Sequence, residues 1–338
     1  MIEDKNQEVV APPIFKDRKG GLIAFGIIQI ILGSFFILVI PLMLIGMSAS
    51  SAGGQSNAMP MPPQLMAQVI IFYLLMAIWF ISMGIGSINA RRWARALILI
   101  SSWFWFIFGI VGFIFWLIFM QNIYGQMAVN GQMPPTAIAI VKVVTIIFMI
   151  IFYIVVPGII ILFYGSRNVK TTCESRNPNP SWTDKCPLPV LGLSVLFAIS
   201  PVSMIQMASY NFLIAFFGSL ISGAAGAGVS LIIVLLLIYI AIGFYKLQIK
   251  AWWTAIAVIV IGTLSTIITF SRINLLEFYQ KMNFPEQQME IIKQMGMIEN
   301  SNIFMTWIPL FYAVVIIGYL LYIKKYFTPV AELGEGKG

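Results

Sequence analysis

Apolar residues run along this chain in stretches too long for the core of a soluble domain. Between Lys19 and Arg91 lie 71 residues without a charged side chain, and 60 more separate Lys185 from Lys246. One helical crossing of a bilayer takes ~20 residues, so each run holds two crossings. The middle of the first run, 48–64, is rich in Ser, Gly, Asn and Pro and reads as the loop between them. Treating the whole chain this way predicts spans at 22–46, 67–90, 96–120, 137–164, 188–207, 227–247, 251–271 and 303–323. Pro201 should kink the fifth. The expected fold is all-α, a polytopic membrane helix bundle of about eight transmembrane helices.

One stretch resists this scheme. Residues 211–222 are too apolar for an ordinary loop and too short to cross. A re-entrant or interfacial segment fits, because backbone at membrane depth must find its hydrogen bonds inside the protein. The glycine-rich 223–228 that follows reads as flexible.

The longest polar break that also carries positive charge is 166–187, a connector at the midpoint of the chain. It divides the sequence into a tail at 1–20, a membrane half at 21–165, a second half at 188–323 and a tail at 324–338. Each half has four spans, with a basic turn between its second and third. Gly84-Ile-Gly86 leading to Arg91-Arg92-Trp93 resembles Gly243 leading to Lys246, Lys250 and Trp252-Trp253. A tandem copy of four spans would keep its orientation, giving parallel repeats about an axis along the membrane normal. Bases and tryptophan also mark any inner membrane boundary, so the pattern has a second explanation.

Composition agrees with the spans. The chain is 60% hydrophobic and 9% charged, against ~25% charged in soluble domains. The net charge of +8 does not signal nucleic acid, because the bases sit at helix ends rather than in one stripe. Lys and Arg favour the cytoplasmic side of short loops. Sixteen of the 20 bases share one side, which predicts cytoplasmic N- and C-termini. The exceptions are Arg272, Lys281 and Lys293 outside and Lys142 within a span. The first apolar run is longer than the ~7–15 residues of a signal peptide's core and reads as an anchor. The expected location is the plasma membrane of a prokaryote-like cell.

Candidate chemistry is sparse. There is no histidine, and no acid lies inside a predicted span. Histidine acid–base catalysis is excluded, and so is most transition-metal binding. Carriers driven by protons or sodium commonly use buried carboxylates. Lys142 lies about five residues into span four, ~10 Å of helix from Pro135, near enough for its head to snorkel outward. Its sharper reading is a partner for a lipid phosphate or anionic substrate. Cys173 and Cys186 bracket Asn177-Pro-Asn-Pro-Ser-Trp182. Free thiols in a compact, proline-ordered loop are expected, with Trp182 at headgroup level; a zinc site bridging two subunits is the remote alternative. Met59 and Met61 head a methionine-rich outer side that raises Cu(I) binding, against the simpler use of methionine as an apolar filler. In the outer segment 272–302, Pro285, Glu286, Glu290 and Gly296 outline a short amphipathic helix.

No cofactor is expected. The partners are membrane lipids, with a protein partner or a second copy. The leading function is a non-catalytic structural or accessory subunit. The alternative is a channel or carrier for an uncharged, lipidic or anionic solute. An enzyme acting on lipids, with Lys142, Asn89 or tyrosines as its tools, ranks last.

Overall fold

The computed structural model describes residues 15–52, 63–129, 134–273, 275–282 and 301–327. Among the described residues, eight helices are long and apolar enough to cross a membrane. They are α1 (Lys19–Ala52), α2 (Pro63–Ile88), α3 (Arg92–Val129), a fourth span made of α4 (Pro135–Ile150) and α5 (Val156–Gly165), α7 (Leu188–Gln206), α8 (Gly223–Tyr245), α9 (Ile249–Phe270) and α11 (Ser301–Ile323). The described residues also form two short helices, α6 (Arg167–Arg176) and α10 (Leu275–Lys281). The chain is a multi-pass, all-α membrane helix bundle. Uninterrupted helix is what such apolar sequence must adopt in lipid, because helix alone satisfies every backbone group within the segment.

Packing is between sequence neighbours. In the first half α1 lies against α2, and α3 against the fourth span; in the second, α7 pairs with α8 and α9 with α11. The α1–α2 crossing is close enough to need glycine. A Cβ on Gly84 would lie 2.6 Å from the Gly26 carbonyl oxygen, and one on Gly26 would lie 2.8 Å from that of Gly84. Without a hydrophobic drive between helices in lipid, such backbone approach supplies the dispersion energy of association. Two cores result. One gathers Leu22, Met83, Ala94, Tyr164 and Cys173; the other gathers Val190, Phe244, Trp252, Leu320 and Cys186. Leu188 and Val195 touch both. At the end away from the bases, Gln68 Nε2 donates to Ser209 Oγ and ties the halves again.

Between α4 and α5 the fourth span widens into a π-helical turn, Ile151–Val155. Pro157 follows it. A proline offers no N–H to the turn before it and crowds its carbonyls, and a widened turn relieves that conflict. The turn seats on α3, where a Cβ on Gly109 would lie 2.8 Å from Tyr153 Cβ, and Phe152 stacks edge-on to Trp105 at 5.0 Å.

The basic turns of the two halves share one backbone design. After α2, Ala90 takes a left-handed φ of 49°; its N–H donates to Ser87 O and that of Arg91 to Gly86 O. After α8, Leu247 has φ 55°; its N–H donates to Phe244 O and that of Gln248 to Gly243 O. In each turn a Cβ on the glycine would collide with an alanine of the next helix, Gly86 with Ala94 and Gly243 with Ala251. Beyond the turn, a side chain in the first residues of the third helix donates to the last turn of the fourth. Arg95 Nε reaches Tyr164 O at 3.0 Å, and Trp252 Nε1 reaches Leu320 O at 2.8 Å.

The structure departs from the sequence reading in three places. Residues 223–228 are not flexible; they form the first turns of α8, whose Gly226 lies under the Phe212 carbonyl. Spans one and three extend beyond the predicted 22–46 and 96–120, because uncharged polar residues do not stop a helix and the single Gly125 in α3 weakens it by only about 1 kcal/mol. The connector 166–187 is half helix. Pro201 does lie inside α7. The amphipathic helix expected at 285–296 lies outside the described residues.

Candidate functional site

The polar groups of the molecule converge on its basic end, where the connector is fastened to the bundle. Helix α6 forms because Ser166 caps it, accepting from Val169 N–H at 3.4 Å, and because Val169, Thr172 and Cys173 share one face. That face is buried, while Lys170 and Glu174 meet on the outer side at 3.8 Å. The i, i+3, i+4 spacing behind a serine was legible in the sequence, but the following prolines drew attention to a loop.

Arg92 then holds the proline segment. Its Nε donates to Asn177 O at 2.8 Å and its Nη2 to Pro178 O at 3.4 Å, and its Nη1 meets Asp184 Oδ2 at 3.3 Å. Asp184 is also a cap, since the same oxygen accepts the Ser181 N–H at 2.8 Å. Toward the N-terminus, Arg176 pairs with Asp17 at 2.6 Å, and Thr172 Oγ1 accepts the Arg18 N–H at 3.1 Å. The Arg176 hydrogen bond, helped by the Lys19 N–H, holds the Asp17 carboxyl below its ordinary pKa. Beneath this layer, Ser87 Oγ donates to Leu22 O at 2.8 Å and meets Tyr164 Oη at 2.6 Å. On the second half, Tyr245 Oη donates to Trp182 O and Tyr319 Oη to Pro189 O, both at 3.0 Å. The arrangement is a set of staples. It fixes positions and offers no nucleophile with a base beside it.

The candidates from the sequence scatter. Cys173 and Cys186 are both buried free thiols in different cores. Burial pushes each thiol up to about 11; for Cys173 the nearby Arg95 charge pulls the other way without reversing it. A raised pKa keeps the neutral thiol, which is neither a good nucleophile nor a metal ligand. Maleimide should therefore label the folded chain slowly at neutral pH. The rate should rise about tenfold per pH unit toward the thiol pKa, and labelling should be fast once detergent unfolds the chain. Rapid labelling of the folded chain at pH 7 would contradict this burial.

Trp182 is half-exposed at the surface of the connector, its ring 6.4 Å from that of Tyr245. Lys142 sits at the opposite end of the bundle, with Nζ 5.1 Å from the centroid of the Tyr124 ring on α3. That cation–π contact was not foreseen. Asn89 is exposed in the α2–α3 turn at the basic end, so it and Lys142 do not form one site. Met59 and Met61 lie outside the described residues. Among the described residues no three His, Cys, Asp or Glu side chains gather as a metal site would need.

The chain matches no family model, no curated protein and no solved structure.

Proposed function

We propose that this multi-pass membrane protein is a non-catalytic structural or accessory subunit of a prokaryote-type plasma membrane. Its basic end and both termini face the cytoplasm. It is built from two parallel four-helix repeats, and it works with a protein partner or a second copy of itself. One observation carries the reading: among the described residues, the buried Ser and Thr hydroxyls within the spans, Ser230 apart, bond backbone carbonyls. Ser194 Oγ bonds Ala241 O on the next helix, Ser265 Oγ bonds Ala215 O, and Ser102 and Thr269 bond their own helices. Among the described residues no Asp or Glu lies in a span. The repeat is supported by the matching turns at Ala90 and Leu247 and by the matching bonds from Arg95 and Trp252. The orientation is supported by the bases, which lie where cytoplasmic loops carry them.

A second reading, a channel or carrier for an uncharged, lipidic or anionic solute, draws on two other groups. Gln29 Oε1 and Ser230 Oγ are buried inside spans with no protein partner. A polar solute passing them would find acceptors already stripped of water.

The test is extraction from native membranes into polymer nanodiscs, followed by mass measurement and crosslinking. The expected particle is larger than one 37.7-kDa chain and contains a reproducible partner or second copy. A lone monomer that supports solute flux after reconstitution would replace the subunit reading with the carrier.

A further inference from the structure

The segment between α7 and α8 breaks local rules in a way the bundle does not require. Asn211 and Phe212 have left-handed φ of 53° and 52°. Strands Ile214–Phe216 and Ser219–Ile221 then pair antiparallel, Phe216 opposite Ser219, around the two-residue turn Phe217-Gly218. Both turn residues have positive φ, 40° and 93°. Such turns favour Asn-Gly or Gly-Gly, and a left-handed phenylalanine costs ~1–2 kcal/mol. An aromatic ring held at a strained turn points to a use for the ring.

The hairpin's depth is set by its hydrogen bonds. Phe217 N–H donates to Ser265 Oγ and Gly218 N–H to Thr269 Oγ1, each at 3.0 Å. Both hydroxyls belong to the last turns of α9, inside a candidate span. Ser265 is ~7.5 Å of helix below Phe270 at 1.5 Å per residue. The turn thus lies at the margin of the apolar zone, with protein hydroxyls serving its amides where water is scarce. Phe216 and Phe217 are 40% and 46% exposed, edge to face at 5.2 Å. The exposed Arg272 lies over Gly218, where an added Cβ would come 3.1 Å from Nη1. Among the described residues no carboxylate forms an ion pair with it.

We propose that this hairpin is a phospholipid-binding anchor in the leaflet opposite the basic end. Phe216 and Phe217 lie among the upper acyl chains, and the Arg272 guanidinium bonds the phosphodiester of a lipid headgroup. Guanidinium matches phosphate with paired donors, and aromatic rings favour this depth. The surface around a single arginine and two rings suits one headgroup with its chains.

The full chain carrying Phe217→Cys is nitroxide-labelled and placed in vesicles of phosphatidylethanolamine and phosphatidylglycerol. The parent chain measures any label taken up by the two buried thiols, and Lys281→Cys provides an aqueous reference. Collisions with oxygen should exceed those with a water-soluble nickel chelate at position 217, and the order should reverse at 281. Arg272→Gln should raise nickel collisions at 217 about twofold, whereas Arg272→Lys should keep most of the protection. Phosphate-free galactolipid vesicles should mimic Arg272→Gln, and added inorganic phosphate should change nothing. Three results would overturn the proposal: dominant nickel collisions at 217, which place the tip in water; low collisions with both, which place it under protein; or no effect of Arg272→Gln.

Discussion

Trp252→Ala should cost about 3–5 kcal/mol, enough to leave little folded second half, because it empties a buried indole's volume. Trp252 is 1% exposed at the centre of the core formed by α7, α8, α9 and α11. Its Nε1–H is also the donor to Leu320 O, so truncation leaves that carbonyl short of its second bond. Lys324 Nζ, 5.1 Å from the same ring, loses its face. Trp252→Phe separates these effects. It keeps most of the packing and removes the hydrogen bond, with an expected loss of about 1 kcal/mol. Denaturant titration of the purified chain in bicelles measures both. Equal losses for the two variants would mean that the hydrogen bond, rather than volume, holds α9 to α11.

Gly84→Leu should be nearly as damaging. The side chain would enter the crossing where the nearest atom is the backbone oxygen of Gly26, and backbone cannot turn aside as a rotamer can. Overpacking of this kind costs about 1–3 kcal/mol and more where nothing can move. The second half should be little affected, since the three atoms nearest an added Cβ at 84 all belong to Gly26 and Ile30 of α1. Crosslinking between cysteines placed on α1 and α2 reports the separation directly. Undiminished crosslinking in Gly84→Leu would show that the crossing tolerates bulk and that the glycines have another role.

The spans were legible because lipid leaves the chain little choice. Most of a long uncharged run must be helix, because other backbone needs protein partners as hairpin 214–221 has, and Arg91, Arg92 and Lys246 mark where crossings end. Pro134 and Pro135 marked the start of the fourth span, whereas the 48–64 region read as loop gives up 48–52 to α1 and 63–64 to α2, its middle lying outside the described residues. Span ends were less legible. Asn122, Gly125 and Gln126 read as loop, yet α3 runs on to Val129, because polar residues near a membrane surface do not stop a helix and a single glycine weakens one by only about 1 kcal/mol. The 223–228 stretch shows the opposite trap. Its glycines suggested freedom, but alanines alternate with them, and close passage of the Phe212 carbonyl requires a residue without Cβ at 226.

The polar network at the basic end was not legible, and the reason is distance along the chain. Arg92 meets Asp184 across 92 residues of sequence and Arg176 meets Asp17 across 159, and no local pattern encodes such pairs. The connector's charge was visible while its partners were not. Hairpin 214–221 was visible only as an anomaly, too apolar for a loop. Its strands carry no alternation, and Phe-Gly is a poor turn signal. The hydrogen bonds to Ser265 and Thr269, which satisfy the turn's amides within the protein, needed the fold to be seen.

Pairing between sequence neighbours bears on how the protein is made. As synthesis proceeds, α2 follows α1 into the bilayer and meets it at once, and each later couple closes the same way. Short-range closure of this kind is quick compared with joining distant segments. Gln29, buried between Gly26 and Gly33 where α1 presses on α2, is on this order of events withdrawn from lipid early, before the ribosome has reached the midpoint of the message.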